Sequence, residues 1–179
     1  MKKILIILVS IIVVGALGMI GIRFYTKSFS PEETVVYNQD KLSVTYSRPY
    51  KNSREIFGGL VPFGEVWRTG ANESTTFTCN EDILFGGVPL KSGRYSLWTI
   101  PEKDYWTIIL NAETGQWGVT TRSVANRDPE EDVLSIEVPV IITPKVFEQF
   151  TISFEEHKKE LDMILMWDNT LVVIPIKIP

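Results

Sequence analysis

The chain begins with an uninterrupted apolar run. Ile4 to Ile22 contains no charged residue, and the flanking charges are Lys2, Lys3 and Arg23. A helix of this length spans about 28 Å, which is close to the hydrocarbon thickness of a bilayer. The run therefore predicts a membrane-spanning helix, with the lipid bilayer as its partner over residues 4–22.

A cleaved signal peptide is the alternative interpretation of this run. Such a peptide has a shorter apolar region of about 7 to 15 residues, followed by a small-x-small cleavage site. Ala16-Leu17-Gly18 resembles such a site, but the apolar run continues from Met19 to Ile22. We therefore expect an uncleaved signal-anchor over residues 1–24. A linker over 25–37 and a single domain over 38–179 follow, and the domain is expected to be extracytoplasmic, in the periplasm or on the cell surface.

From residue 41 onward, apolar residues recur at every second position. Leu42, Val44 and Tyr46 alternate with Ser43 and Thr45, and the same period returns in six later segments. A period of two predicts β-strands. The turn signals between them are Gly86-Gly87 and Asp168-Asn169, which suit two-residue hairpins, and Glu113-Thr114-Gly115, which suits a longer one. The predicted fold is all-β, an antiparallel, jelly-roll-like β-sandwich of eight to ten strands preceded by one transmembrane helix.

Charge and the rare residue types restrict the possible chemistry. Residues 38–179 contain 14 Lys and Arg against 20 Asp and Glu, a net charge of −6, which argues against nucleic acid as a partner. Cys79 is the only cysteine and His157 the only histidine, so an internal disulfide and a Cys/His zinc site are excluded. Cys79 lies on a predicted strand and is expected to be a buried thiol, and His157 is expected at a solvated hairpin tip. No cofactor and no metal site are predicted.

Residues 46–73 differ from ordinary strand-and-turn sequence, and we call them the arginine motif. The motif combines Arg48, Arg54 and Arg68 with aromatic residues, glycines and prolines. Glycine permits backbone turns that are closed to other residues and proline fixes others, so an ordered loop is expected. Guanidinium groups bind carboxylate or phosphate oxygens through two parallel hydrogen bonds. The three arginines beside Trp67 therefore suggest a site for an anion or an acidic sugar.

In this region the chain resembles the bacterial family known as domain of unknown function 2911. The matching words are Tyr46-Ser47-Arg48-Pro49, Arg54-Glu55-Ile56-Phe57-Gly58, Leu60-Val61-Pro62-Phe63-Gly64, Trp67-Arg68-Thr69-Gly70-Ala71-Asn72-Glu73 and Gly93-Arg94-Tyr95-Ser96-Leu97, with Ile100-Pro101 and Trp106 after them. The resemblance implies a bacterial exported or envelope-attached domain and brings no activity. Relatives usually carry glycine before the second arginine, where this chain has Ser53.

The motif also has a structural interpretation. Arg48, Arg54 and Arg68 can pair with Glu55, Glu65 and Glu73 and so lock the loop onto the sandwich. Arg68 is expected to be the most deeply buried of the three, because it lies between Trp67 and a glycine corner. Asn72 can take a left-handed corner or cap a turn. Most of the five tryptophans are expected in the core.

We predict a membrane-anchored module that binds an anionic or carbohydrate-like ligand. The predicted ligand-binding residues are Arg48, Arg54, Trp67, Arg68, Asn72, Glu73 and Trp98, and Trp67 and Trp98 are the candidates for an exposed sugar platform. One alternative is an envelope hydrolase or lyase that uses Glu73 as acid or base beside an arginine. Another is an envelope scaffold that docks an unidentified protein partner through a strand edge.

Overall fold

The computed structural model describes residues 2–157 and 160–178. One helix, α1 (Lys2–Ser28), precedes nine described strands. Its segment Val9–Ser28 is long and apolar enough to cross a membrane. The strands are β1 (Glu32–Tyr37), β2 (Leu42–Ser47), β3 (Thr75–Cys79), β4 (Ile83–Phe85), β5 (Val88–Leu90), β6 (Gly93–Pro101), β7 (Tyr105–Asn111), β8 (Asp132–His157) and β9 (Glu160–Lys177), with a short 3₁₀ turn at Pro129–Glu131.

All strand pairs are antiparallel, in the order β1-β2-β3-β6-β7-β8-β9-β4-β5. The long strand β8 joins two layers. Its first part, up to Pro139, pairs with β7, and the part from Val140 onward pairs with β9. The prediction of an antiparallel β-sandwich preceded by an apolar helix is confirmed.

One hydrophobic core lies between the layers. Phe77 on β3 packs edge-on against Phe85 on β4, with 5.2 Å between ring centroids, and Tyr46 on β2 contacts Phe150 on β8 in the same way at 5.6 Å. The inward residues of the alternating segments, such as Leu42 and Val44, are fully buried. Burial of this apolar surface is the main force that holds the layers together.

One of the predicted turns is wrong. Asp168-Asn169 does not close a hairpin, because β9 continues through it and Asp168 takes a positive φ of 53° opposite a register shift in β8. Left-handed residues suit β-bulges as well as hairpins, so the sequence signal is ambiguous. Glu113-Thr114-Gly115 lies, as predicted, in a longer hairpin connection, which joins the antiparallel strands β7 and β8 and spans residues 112–131. We call residues 112–131 the covering loop.

The predicted linker over 25–37 holds more regular structure than expected. Helix α1 extends to Ser28 and β1 begins at Glu32, six residues before the predicted start of the domain. Val35 and Tyr37 on β1 pack against the core, which explains why this polar segment joins the sheet. Cys79 is buried, and burial raises the pKa of its thiol, as suits an inert side chain. His157 is exposed at the end of β8.

Candidate functional site

The arginine motif lies along the edge of β6 that β3 leaves unpaired. Backbone hydrogen bonds join Trp67 and Thr99 in both directions, at 2.7 and 2.9 Å, and the N–H of Gly64 donates to the carbonyl of Pro101 at 2.9 Å. These bonds satisfy backbone groups of β6 that would otherwise have no strand beside them. The motif is therefore an ordered part of the sheet rather than a free loop, as its glycines and prolines predict.

A sharp corner at Gly70 carries the chain from the motif into β3. Gly70 has φ of +152°, and a Cβ there would lie 2.9 Å from the carbonyl oxygen of Ser47, so only glycine fits. Asn72 follows with φ of 59° and is buried. Its Nδ2 donates to the carbonyl of Ser30 at 3.3 Å and to Oγ of Ser47 at 3.4 Å. Asn72 thus fastens the segment after α1 to the end of β2 and does not line the cavity described below.

Arg48 holds the two layers together. Its Nε donates to the carbonyl of Phe150 at 3.1 Å, its Nη2 donates to Oγ1 of Thr151 at 2.8 Å, and its Nη1 lies 2.6 Å from a carboxylate oxygen of Glu33. The guanidinium therefore connects β1 and β8. The structural interpretation of this arginine is supported, but the acidic partner is Glu33 on β1 rather than a carboxylate of the motif.

Arg54 is exposed and braces its own turn. Its Nε donates to the carbonyl of Lys51 at 2.9 Å, and its Nη2 donates to the carbonyl of Tyr50. A guanidinium carries five N–H donors. Among the described residues, no carboxylate forms an ion pair with Arg54, so this arginine keeps donors that face solvent.

Arg68, unlike Arg48, has a guanidinium nitrogen that the described part of the protein does not use. Its Nη1 is buried and has no hydrogen-bond partner among the described residues. Burial lowers the pKa of Arg68, and the negative charge of Glu73 partly offsets that effect. Arginine stays protonated in proteins, so a buried donor without a partner has a free-energy cost of about 1 to 3 kcal/mol. An anion at this point would remove that cost.

Trp67 is fixed by a cluster of aromatic side chains. It stacks on Trp167 with 5.8 Å between centroids and 19° between planes, and it contacts Phe150 edge-on at 5.0 Å. Its Nε1 donates to the carbonyl of Gly70 at 3.0 Å. Aromatic pairs of this kind are worth about 0.5 to 1.5 kcal/mol beyond their buried area. Trp67 is therefore a rigid, half-buried surface rather than a mobile one.

Arg54, Trp67 and Arg68 line one cavity, which we call the arginine cavity. Its volume is about 550 Å³, within the range of ordinary small-molecule sites. The lining comes from the motif, the segment after α1, the covering loop and β9. The lining residues are Phe29, Ser30, Pro49, Asn52, Arg54, Leu60, Val61, Pro62, Glu65, Trp67, Arg68, Gly70, Ala71, Val119, Ser123 and Trp167. Three of the seven predicted site residues therefore meet here.

The expectation of an exposed Trp98 is wrong. Trp98 is fully buried, and its Nε1 donates to Oγ of Ser96 at 2.7 Å. It lies outside the main core cluster, and the bond from Ser96 Oγ to the carbonyl of Glu113 places the covering loop on its side of β6. The sequence pattern does not reveal that the covering loop is hydrogen-bonded to this side of β6. Trp98 therefore cannot act as a sugar platform.

Glu73 lies apart from the arginine cavity. Its carboxylate forms an ion pair with Lys27 of α1 at 2.8 Å, and it lines a smaller cavity of about 140 Å³ together with Arg94 and Thr76. A general acid or base must reach the reacting group within hydrogen-bond distance. Glu73 and the two cavity arginines do not share one space, which weakens the enzyme interpretation that pairs them.

The covering loop contributes cavity residues that the sequence pattern does not predict. Val119 and Ser123 line the arginine cavity, and Gly118 packs against Arg68. Gly118 has φ of +91°, and a Cβ there would lie 2.5 Å from Cδ of Arg68. The one available signal was the glycine itself, since contact between residues fifty positions apart leaves no mark in a local pattern.

A second cavity of about 380 Å³ lies near the other end of the motif. Acidic side chains Glu55, Glu102 and Asp168 line it, with Phe57 and Lys103 among the others. Asp168 forms an ion pair with Lys51. Over residues 2–157 and 160–178, no group of three or more His, Cys, Asp or Glu side chains could hold a metal ion.

Comparison with known proteins gives a family and no activity. No curated protein and no solved structure matches the chain. The model of one family, described as "Protein of unknown function (DUF2911)", matches residues 30–176, which include β1 to β8, all of β9 except its last residue, and the whole arginine motif. The resemblance inferred from the motif is confirmed: the chain belongs to the DUF2911 family.

Proposed function

We propose that the protein is a membrane-anchored extracytoplasmic module that binds a small anionic ligand in the arginine cavity. The observation that carries the proposal is the pairing of two arginines on one cavity, both with donors not used by the protein. Nη1 of Arg68 is buried without a hydrogen-bond partner among the described residues, and Arg54 faces solvent across the same space. Charge-assisted hydrogen bonds from two guanidinium groups are a strong way to hold carboxylate or phosphate oxygens.

The other lining residues favour a ligand that carries hydrogen-bonding groups in addition to its negative charge. Trp67 offers a rigid aromatic face, and Glu65 supplies a carboxylate that accepts hydrogen bonds. A single anion would be repelled by Glu65, whereas an anion that also carries hydroxyl or ammonium groups would use it. Acidic sugars and phosphate esters of polyols have this combination.

The binding proposal is tested by thermal melts and calorimetric titration of the full-length protein in detergent micelles. The probes are inorganic phosphate, glucuronate and glycerol phosphate, with neutral glucose as the uncharged comparison. We expect glucuronate and glycerol phosphate to raise Tm, inorganic phosphate to raise it less, and glucose to leave it unchanged. We also expect Arg54→Gln to weaken anion binding about tenfold, or 1.4 kcal/mol. Arg122→Gln removes the same charge from an exposed position outside the cavity and should leave binding unchanged. Equal losses in the two variants, or no anion effect on the parent, would contradict the proposal.

The anchor and the side of the membrane need their own experiment. We expect the protein to stay in the membrane fraction after high-salt and alkaline washes, because the apolar helix would have to leave the bilayer to be released. Protease added outside intact cells or spheroplasts should remove the domain. Release of a soluble form that starts near residue 19 would contradict the anchor, and protection from the protease would contradict the location.

A further inference from the structure

The exit of α1 is fastened beside the arginine cavity. Lys27 pairs with Glu73, the carbonyl of Ser30 accepts a hydrogen bond from Asn72, and the carbonyl of Pro31 accepts one from the N–H of Arg48 at 2.8 Å. Phe29 and Ser30, directly after the helix, line the cavity. These contacts fix where the helix leaves the domain, so the cavity cannot turn away from the helix without breaking them.

The covering loop reaches back along the helix. Trp117 lines a crevice of about 310 Å³ together with Met19, Ile22 and Thr26 of α1. Met19 and Ile22 belong to the uncharged run that the proposed anchor places in the bilayer. Trp117 would then lie at the membrane surface, the depth at which tryptophan is enriched in membrane proteins.

The rise along α1 gives the distance between the cavity and the hydrocarbon region of the bilayer. Phe29 follows Ile22 by seven residues, which corresponds to about 10 Å of helical rise beyond the uncharged run. The headgroup region adds about 5 to 8 Å to each side of the hydrocarbon. The mouth of the cavity therefore lies at or just above the lipid headgroups when α1 spans the bilayer.

The side chains at the mouth suit an amphipathic molecule. Phe29 and Leu60 line the cavity with 57% and 46% of their surfaces exposed. Exposed apolar groups of this size are unfavourable in water and favourable against acyl chains. The two arginines and Glu65 line the same cavity. A lipid carries both kinds of partner, since its acyl chains are apolar and its headgroup is charged.

From this arrangement we infer that the arginine cavity binds the headgroup of an anionic phospholipid drawn from the bilayer that holds α1. The inference rests on the proposed function and names its ligand class. Arg54 and Arg68 bind the phosphate oxygens, and Glu65 accepts a hydrogen bond from a hydroxyl group of the headgroup. The domain itself carries a net charge of −6. General attraction to an anionic surface therefore cannot account for such binding, which has to come from the local arginines.

The test uses the full-length protein in detergent micelles supplied with defined lipids. Native mass spectrometry measures retained lipid for phosphatidylglycerol, which carries headgroup hydroxyls, and for phosphatidylcholine, which carries none. We expect phosphatidylglycerol to be retained preferentially, and Arg54→Gln and Arg68→Met each to weaken its binding about tenfold. Arg122→Gln is the matched control in the covering loop and should bind like the parent. Thermal melts of each variant establish that it is folded.

Two further arms separate the possible failures. Glycerophosphoglycerol is the same headgroup without acyl chains, and we expect it to bind at least tenfold more weakly than the lipid. Equal binding of headgroup and lipid would overturn the membrane source while leaving an anion-binding cavity in place. Phosphatidylglycerol binding that survives both cavity variants would overturn the site. Absence of binding by the lipid, the headgroup and the soluble anions would overturn the inference and the proposed function together.

Discussion

Arg48 and Arg68 belong to one motif and have opposite surroundings. Arg48 makes hydrogen bonds to β8 and an ion pair to β1, so its guanidinium is used within the protein. Arg68 has a buried nitrogen without a hydrogen-bond partner among the described residues and faces a cavity. The comparison teaches that an arginine-rich motif need not have one role. One end of this motif is architecture, and the other end has hydrogen-bonding capacity left for a ligand.

The connecting role belongs to Arg48 rather than to the arginine that the sequence places deepest. The sequence predicts that Arg68 is the most deeply buried arginine of the motif, because it lies between Trp67 and a glycine corner. In the structure, that corner places the backbone of Gly70 against Ser47, and Arg48 connects the layers. Glu33, the acidic partner of Arg48, lies on β1, a strand within the segment for which the sequence predicts a linker.

The largest expected effect is the loss of stability in Arg48→Ala. The substitution removes the hydrogen bonds that Arg48 donates to Phe150 and Thr151, and it leaves Glu33 without its cationic partner. We expect a loss of about 2 to 4 kcal/mol in the free energy of unfolding, and each kcal/mol lowers Tm by about 2 to 4 °C in a chain of this size. Thermal melts measure it. Arg94→Ala, at an exposed position of β6, is the control, and an equal loss there would remove the distinction.

Gly118→Ala tests the contact between the covering loop and Arg68. A residue with a Cβ is strained at φ of +91° by about 1 to 2 kcal/mol, and its Cβ would also push on Cδ of Arg68. We expect lower stability together with weaker binding of anionic probes. Gly115→Ala is the matched control, since Gly115 has φ of +86° but open space around it. The control should lose stability alone, and loss of binding in both variants would show that loop strain rather than Arg68 is responsible.

Arg68→Met should have a small effect on stability and a large one on binding. Methionine keeps the apolar stem that packs on Gly118 and removes a guanidinium whose buried nitrogen has no hydrogen bond within the described chain. We expect the free energy of unfolding to change by less than about 1 kcal/mol. Denaturant melts measure it. A loss of stability as large as that of Arg48→Ala would show that Arg68 also stabilises the fold, and it would contradict the difference between the two arginines.

The smallest expected effect is a gain in stability in Ser53→Gly. Ser53 has φ of 58°, a left-handed conformation that glycine adopts without strain, and it precedes Arg54. We expect a gain of about 0.5 kcal/mol, measured by denaturant melts, with unchanged ligand binding. Ser43→Gly in the middle of β2 is the control and should lower stability. A loss at Ser53 would show that its side chain contributes a contact that outweighs the strain.

Local pattern was sufficient for the β-fold, the N-terminal helix and the family. Alternation in segments such as Leu42 to Tyr46 indicates which face of a strand is buried. The length of an uncharged run can be compared directly with the thickness of a bilayer. Both are properties of neighbouring residues, so the sequence alone determines them. The motif words likewise led to the family that matches residues 30–176.

Only the tertiary structure decided what each motif residue contacts. Trp98 and Trp67 are both tryptophans near arginine or glycine, yet Trp98 is fully buried and Trp67 borders the arginine cavity. The partner of Arg48 and the neighbour of Arg68 come from segments far away along the chain. Burial and hydrogen bonding between distant segments depend on how the layers and loops pack. A sequence read locally contains the side chains that can bind a ligand, and packing determines which of them remain available to do so.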